Sequence, residues 1–201
     1  AVLRSGALPC ARALDIGIAL AKGVEHLHEA GILHCDIKPS NIGFTQKDVP
    51  KLLDFGLARI LREGIVGDIT THTAVPLERP GAGSVPRALD TRVGAGTPLY
   101  MSPEAFEGHP PGPAFDVWSL SVVLFEAIAG APPFRGVSVS AITEAVLHGD
   151  LPDLRTFNDG CPRSVAEFFN RALSRQITDR PATAAQLGAA LIRLRDQLKP
   201  G

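Results

Sequence analysis

The sequence predicts a mainly α-helical domain of the α+β family with one small β-hairpin, and three observations carry that prediction. Apolar residues recur at three- and four-residue intervals over several stretches, the period of helices that bury one face. A further stretch, Asp116 to Ala129, is apolar on nearly every side, the mark of a helix buried all round. Between Ile32 and Phe55, short apolar pairs alternate with turn residues, which suits short strands.

The elements follow in order. From Ala11 to Ala30 the positions Leu14, Ile18, Ala21, Val24 and Leu27 form one apolar stripe, with Gly31 placed to end the helix. Ile32 to Phe44 and Lys51 to Phe55 are expected to pair as the hairpin, with Pro39, Ser40, Asn41 and Gly43 as turn residues. Residues 62–93 carry Gly64, Gly67, Pro76, Pro80, Gly81, Gly83 and Pro86 without periodicity, which reads as a long flexible insertion. The buried helix is expected from Asp116 to Ala129, closed by Gly130. Further helices are expected over Val139 to His148, Pro162 to Ser174 and Pro181 to Leu198. There is no internal repeat.

Composition bounds the function. The 201 residues hold 20 Lys+Arg against 21 Asp+Glu, a net charge of −1, which removes any charge argument for nucleic acid or an anionic membrane as partner. At 45% apolar the chain can bury a core. The longest apolar stretch, Val117 to Ala131, is broken by Glu126 and followed by Pro132 and Pro133, short of the roughly 20 residues a membrane-spanning helix needs. No secretory signal is expected from the first ten residues, and Cys10, Cys35 and Cys161 lack metal-ligand spacing and cannot all pair with one another. A reducing, cytoplasmic location is the expectation. His26 and His28 form an H-x-H pair, but on a helix they point about 200° apart, so they are expected as surface or core histidines.

Two short segments bring chemistry together. In H-C-D-I-K-P-S-N, His34 to Asn41, an aspartate is followed two residues later by a lysine and five later by an asparagine, in a loop pinned by Pro39. Asp36, Lys38 and Asn41 would place a carboxylate base, a cation and an amide oxygen around one small volume, suited to a phosphoryl group and a metal. In Asp54-Phe55-Gly56 a short strand ends in a carboxylate followed by a glycine. Asp54 and Asn41 are hard oxygen donors of the kind Mg²⁺ takes. Singly, each residue has a plainer reading: Lys38 a solvated charge, Asp54 and Asn41 turn residues, Asp116 a helix N-cap, His34 a core histidine.

A third segment, G-T-P-L-Y-M-S-P-E from Gly96 to Glu104, is followed by D-V-W at Asp116 to Trp118. In order and spacing, the three segments together resemble the C-terminal lobe of the eukaryotic-like serine/threonine protein kinases. His34-Cys35-Asp36 is similar to the catalytic-loop H-R-D, Asp54-Phe55-Gly56 to D-F-G, and Ser102-Pro103-Glu104 to A-P-E. The resemblance implies transfer of the γ-phosphate of ATP to Ser or Thr hydroxyls of a protein substrate. Asp36 would orient the acceptor hydroxyl, Lys38 would neutralise the transferring oxygens, and Asn41 and Asp54 would hold Mg²⁺. Lys38 and Thr97 are similar to the serine/threonine branch, and Thr97 would border the substrate groove. Structural roles are implied for His34 beneath Phe55, for Gly56, for a Glu104–Arg180 pair, and for Asp116 holding the catalytic-loop backbone.

The chain departs from that pattern in four places. Only 33 residues precede His34 and no G-x-G-x-x-G occurs, so residues 1–201 are expected to form a partial domain lacking the nucleotide lobe. An exposed apolar face and some self-association follow from that expectation. Cys35 stands in place of the arginine that meets a phosphorylated activation segment. Gly43 stands where the family puts an apolar floor under adenine, and Asp54 to Glu104 spans 51 residues, longer than the usual activation segment. The alternative from another class is a non-catalytic, pseudokinase-like binding module. Because Cys35 cannot make a bidentate phosphate contact, replacing Thr70, Thr71, Thr73, Ser84 and Thr91 together by Ala should leave phosphoryl transfer by the full-length protein within about threefold of the parent. Loss of activity in a kinase assay would overturn this reading of Cys35.

Overall fold

The computed structural model describes residues 6–62, 65–68 and 98–198. It has the expected helical architecture: six α-helices and five short strands among the described residues. The first helix, α1 (Cys10–Glu29), buries Ala13, Leu14, Ile16, Leu20, Ala21 and Val24 and lies against α6 (Ala184–Gln197) and α3 (Pro113–Ala129). Gly17 permits that approach: a Cβ there would stand 2.7 Å from Leu124 Cδ1 and 2.9 Å from Leu191 Cδ1.

The central helix α3 is buried as its composition predicts, with Trp118, Leu120, Leu124, Phe125 and Ile128 fully enclosed. Each such side chain contributes about 1.5–3 kcal/mol by removal from water. The helix begins at Pro113, three residues before the expected start, because a proline at the first helical position forfeits only an N–H that would be unpaired anyway. Its N-cap is Gly112 and its C-cap is Gly130. Asp116 is therefore not the cap, and its carboxylate serves elsewhere.

The β structure is split in two. The expected hairpin forms between β2 (Ile42–Phe44) and β3 (Pro50–Leu52), antiparallel, with Ile42 opposite Leu52 and Gly43 opposite Lys51. By contrast β1 (Ile32–Leu33) pairs with β4 (Arg59–Arg62), and β4 with β5 (Ile65–Asp68). Within the stretch expected as a flexible insertion, residues 65–68 are thus strand, their backbone groups paired across the sheet. The rest of that insertion, residues 63–64 and 69–93, and Thr97 lie outside the described residues.

The C-terminal helices are α4 (Val139–His148), α5 (Arg163–Ala172) and α6. The last starts at Ala184 and not at Pro181. Thr183 accepts the N–H of Gln186 at 3.1 Å while Gln186 Oε1 accepts that of Ala182 at 2.9 Å, a reciprocal capping arrangement that fixes the first turn. A short helix, α2 (Pro103–Phe106), is capped by the Ser102 hydroxyl.

Arg180 closes this part of the core. Its Nη1 and Nη2 donate to the two carboxylate oxygens of Glu104 at 3.0 and 2.5 Å, its Nε donates to Ser174 O at 2.5 Å, and Nη2 also reaches Arg175 O at 3.1 Å. The guanidinium lies 4.6 Å from the Trp118 ring, which stacks on Phe134 from elsewhere at 5.9 Å. Burial pushes the Glu104 carboxyl up, but the hydrogen bonds and charge of Arg180, with the residue's own backbone and Ser102, outweigh it and hold it below the ordinary carboxylate value. A group depressed in the folded state adds stability above its unfolded value and loses it as pH falls through the folded one.

Arg180→Ala, which strands a buried carboxylate, should lower stability by about 3–5 kcal/mol in denaturant titration. Thermal melts should fall as pH drops below the ordinary carboxylate range. Glu104→Gln should melt lower than the parent at neutral pH and show a shallower decline on acidification; equal acid slopes would remove Glu104 as the source.

Candidate active site

The loop from His34 to Asn41 is held from below by one carboxylate. Asp116, 1% exposed, accepts the backbone N–H of Cys35 on Oδ1 at 2.8 Å and that of His34 on Oδ2 at 2.9 Å, while His28 Nε2–H also donates to Oδ2 at 2.9 Å. Cys35 sits at φ +60°, an uncommon conformation for a residue with a side chain, and it reverses the chain so that Asp36 follows directly. The two N–H donors flanking that reversal are the ones Asp116 takes.

His34 is fully buried and works in two directions. A carbonyl can only accept, so Nε2–H donates to Leu53 O at 3.2 Å, leaving Nδ1 to accept the backbone N–H of Asp36 at 3.3 Å. Its ring meets the Phe55 ring at 5.1 Å between centroids. One histidine therefore fixes the residue before Asp54, the residue after it, and the backbone of Asp36.

Asp36, Lys38 and Asn41 converge. Asp36 Oδ2 receives Lys38 Nζ at 2.7 Å and Asn41 Nδ2 at 2.9 Å, and the same amide nitrogen donates to Asp36 O at 2.9 Å. Pro39 opens a single 3₁₀ turn, Pro39–Asn41, with Asn41 N–H bonded to Lys38 O, and this short turn folds the asparagine back onto the aspartate. Asp36 and Asn41 are buried, and the Lys38 side chain is about one-fifth exposed.

Asp54 joins the cluster through the backbone. Leu53 N–H donates to Asn41 O at 2.8 Å, continuing the β2–β3 hairpin by one residue, so Asn41 and Asp54 emerge at the same end of it. Asp54 is exposed, adopts φ +60°, and accepts Gly56 N–H on Oδ1 at 3.0 Å. Gly43 lies in the middle of β2, and Glu104, Arg180 and Asp116 stand apart from the cluster as supports.

The donor set suits a hard cation and its phosphates. Because Asn41 commits its NH₂ to Asp36, its carbonyl oxygen is turned the other way, where the Ser40 hydroxyl approaches at 3.5 Å. An exposed carboxylate at Asp54 completes an oxygen pair of the type Mg²⁺ accepts alongside waters and phosphate oxygens.

Two residues that matter escaped the sequence reading. His28 is not an idle histidine: its side chain is 11% exposed and bonds Asp116, whereas His26 Nδ1 meets Lys22 O on the surface. Its position one turn beyond Val24 on the buried stripe of α1 was the available signal. Leu53 carries no local signal in the sequence that distinguishes it.

A helical lobe whose H-x-D-x-K-x-x-N loop is bound to the foot of a buried helix, with a D-F-G turn beside it, has the architecture of a protein kinase C-terminal lobe. A protein kinase domain model matches residues 2–190, and the chain belongs to the protein kinase family. It is 38% identical over 193 residues to the serine/threonine-protein kinase PknK of Mycobacterium tuberculosis, an alignment covering 94% of this chain and 15% of that protein. It is 32% identical over 190 residues to PknB of Mycolicibacterium smegmatis, covering 94% of this chain and 27% of the relative. Similarity to the DNA damage-responsive serine/threonine-protein kinase RqkA of Deinococcus radiodurans is 31% over 186 residues, 92% of this chain and 24% of the relative. The chain thus spans about a quarter or less of the length of these relatives.

Asp116→Ala should unsettle the whole loop, leaving two buried N–H groups without an acceptor, a loss on the order of 3 kcal/mol or more. Asp116→Asn should recover little of it, since one amide oxygen replaces two carboxylate oxygens. Hydrogen exchange at the His34 and Cys35 amides is the check: unchanged protection in Asp116→Ala would refute the anchoring role.

Proposed function

We propose that the protein carrying this chain is a serine/threonine protein kinase that transfers the γ-phosphate of ATP to hydroxyls of a protein substrate. The observation that carries the reading is the contact set at Asp36, whose carboxylate is bonded at once by Lys38 and Asn41 beside the hairpin end bearing Asp54. Bound ATP with Mg²⁺ supplies the phosphoryl group and offsets the charge that develops during its transfer.

The chain's own residues then divide the work. Asp36 accepts the hydrogen bond of the acceptor hydroxyl and orients it toward the phosphoryl group. Lys38, 2.7 Å from that carboxylate, presents a cation where negative charge gathers. Asn41 and Asp54 offer the metal-binding oxygens, and His34 keeps both segments in register. Neither barrier-lowering contact requires movement of the loop, since Asp116 already holds its backbone.

Choice of Ser or Thr as acceptor is supported by Lys38 in D-I-K-P-S-N and by Thr97 in the G-T-P-L-Y segment. A reducing, cytoplasmic setting is supported by three free cysteines; burial pushes the Cys10 thiol up and that of Cys161 to about 12. No helix among the described residues is long and apolar enough to cross a membrane. Leu53 and Phe55 expose apolar surface just beyond the β2–β3 hairpin, a patch suited to a nucleotide lobe or, without one, to a second copy of the chain.

In the protein at its full natural length, Asp36→Asn should lower kcat for phosphorylation of a Ser/Thr protein substrate by at least about 100-fold with little change in melting temperature. Asp54→Asn should abolish the Mg²⁺ dependence of ATP binding. Undiminished transfer in Asp36→Asn would end the kinase reading, and a parent that binds a protein partner but transfers no phosphate would establish the binding-module alternative.

A further inference from the structure

Cys10 and Cys161 come from early and late in the chain and take no part in the site described above, yet the fold brings them together. Cys10 is the first residue of α1, two positions after Leu8, whose N–H donates to Ala127 O at 2.7 Å. Cys161 N–H donates to Asn158 O at 2.9 Å, and Asn158 Nδ2 in turn donates to Ile128 O at 3.4 Å. Both segments therefore hang from consecutive carbonyls in the last turn of α3. The two residues, 8% and 5% exposed, belong to one apolar cluster, and their side chains are hydrogen-bonded to each other. Cys161 Sγ–H points to Pro162 O at 3.7 Å, which leaves its sulfur to receive the Cys10 thiol.

We propose that Cys10 and Cys161 are a latent redox pair, which hydrogen peroxide converts to a disulfide that fastens the first turn of α1 to the loop ahead of α5. In the first step a thiolate attacks one peroxide oxygen, the O–O bond breaks, the sulfur becomes a sulfenic acid and one water leaves. The partner sulfur then attacks the sulfenic sulfur, the S–S bond forms, the S–O bond breaks and a second water leaves. The two thiols lose two electrons to the peroxide, and each thiol proton ends in a water. Cys10 suits the first step. Burial raises both thiols, but Cys161 is pushed up to about 12, with Cys10 and Asp153 adding to the rise and Arg155 opposing it. Cys10 also stands at the opening of a helix, where unpaired N–H groups favour an anion. Drawing the sulfurs into a bond of about 2.05 Å needs an inward shift of residues 158–161, of which Asp159 and Gly160 are exposed. The burial that keeps both thiols protonated makes closure slow, and the same burial shields the finished disulfide from reducing thiolates.

The test uses the protein at its full natural length, treated with hydrogen peroxide, quenched with N-ethylmaleimide and digested for mass spectrometry. The peptide holding Cys10 should be found joined to the peptide holding Cys161, the pair lighter by two hydrogens and separable by dithiothreitol after denaturation. The link should form at least about fivefold faster in urea just below the unfolding transition, where local opening admits the oxidant. The oxidised domain should melt about 5 °C or more above the reduced one, because the bond closes a long loop of the unfolded chain. That gain should vanish in Cys10→Ser and in Cys161→Ser. Should a serine variant melt below the parent when reduced, alanine at the same position, which buries no unpaired hydroxyl, takes its place. Separate alkylation or separate over-oxidation of the two cysteines, a joined pair with no rise in melting temperature, or a rise that persists in Cys10→Ser would each overturn the pairing. None of these outcomes depends on nucleotide or substrate, so the kinase reading stands or falls apart from them.

Discussion

A single carboxylate, buried in the first turn of the central helix, sets the position of everything that acts. Asp116 accepts two consecutive backbone N–H groups at a chain reversal where Cys35 takes a left-handed conformation. Such a conformation is unfavourable for a residue with a Cβ by about 1–3 kcal/mol and persists only where its surroundings hold it. Two hydrogen bonds to a charged acceptor, each of about 1.5–3 kcal/mol, are enough to hold it. The third donor, His28 Nε2–H, completes the shell of a carboxylate that has almost no contact with water. Without that shell the charge would be too poorly solvated to remain where it is.

The consequence passes upward through His34. Its backbone is fixed by Asp116, so its ring can serve as a spacer between the segment of Asp36 and the segment of Asp54. Neither acidic residue needs a direct bond to the other. The backbone of each is positioned by hydrogen bonds made by its neighbours, and each carboxylate has one oxygen committed to donors of the same cluster. Asp36 keeps two donors on Oδ2, and Asp54 keeps one backbone donor on Oδ1. An arrangement of this kind is preorganised: the order is built into the fold and is not obtained from the ligand.

Much of this was legible in the sequence, for identifiable reasons. Helices α1 and α4 announce themselves by periodicity, and the catalytic-loop residues by spacing, because a short loop leaves few places for residues two and five positions apart to go. The start of α3 is hidden in the sequence because an aspartate ahead of an apolar run looks like a cap, whereas Pro113 and Gly112 open the helix earlier. The start of α6 differs from the one Pro181 suggests because the T-x-x-Q pattern from Thr183 to Gln186 outweighs a proline two residues upstream. The pairing of β1 with β4 joins residues 27 or so positions apart through only two register pairs, and so brief a match leaves no trace in alternation.

The central helix also ties the catalytic loop to the segment that follows the activation region. Asp116 and Trp118 are two residues apart, so they leave α3 on nearly opposite sides, about 200° around the axis. On one side Asp116 carries the His34–Cys35 reversal; on the other Trp118 carries the Arg180 guanidinium, which in turn grips Glu104 through two hydrogen bonds. Next to Trp118, Ser119 Oγ donates to Tyr100 O, and Tyr100 Oη donates to Glu126, two turns farther along the same helix. The stretch from Pro98 to Glu104 is therefore tied to α3 twice, directly at Tyr100 and through Arg180 at Glu104. A strain that displaced one cluster would have to move the helix, and the helix itself supplies Trp118, Leu120, Leu124, Phe125 and Ile128 to the fully buried core. The spacing between the His34–Asn41 loop and the segment from Pro98 to Glu104 is thus set by one rigid element, to which both are attached.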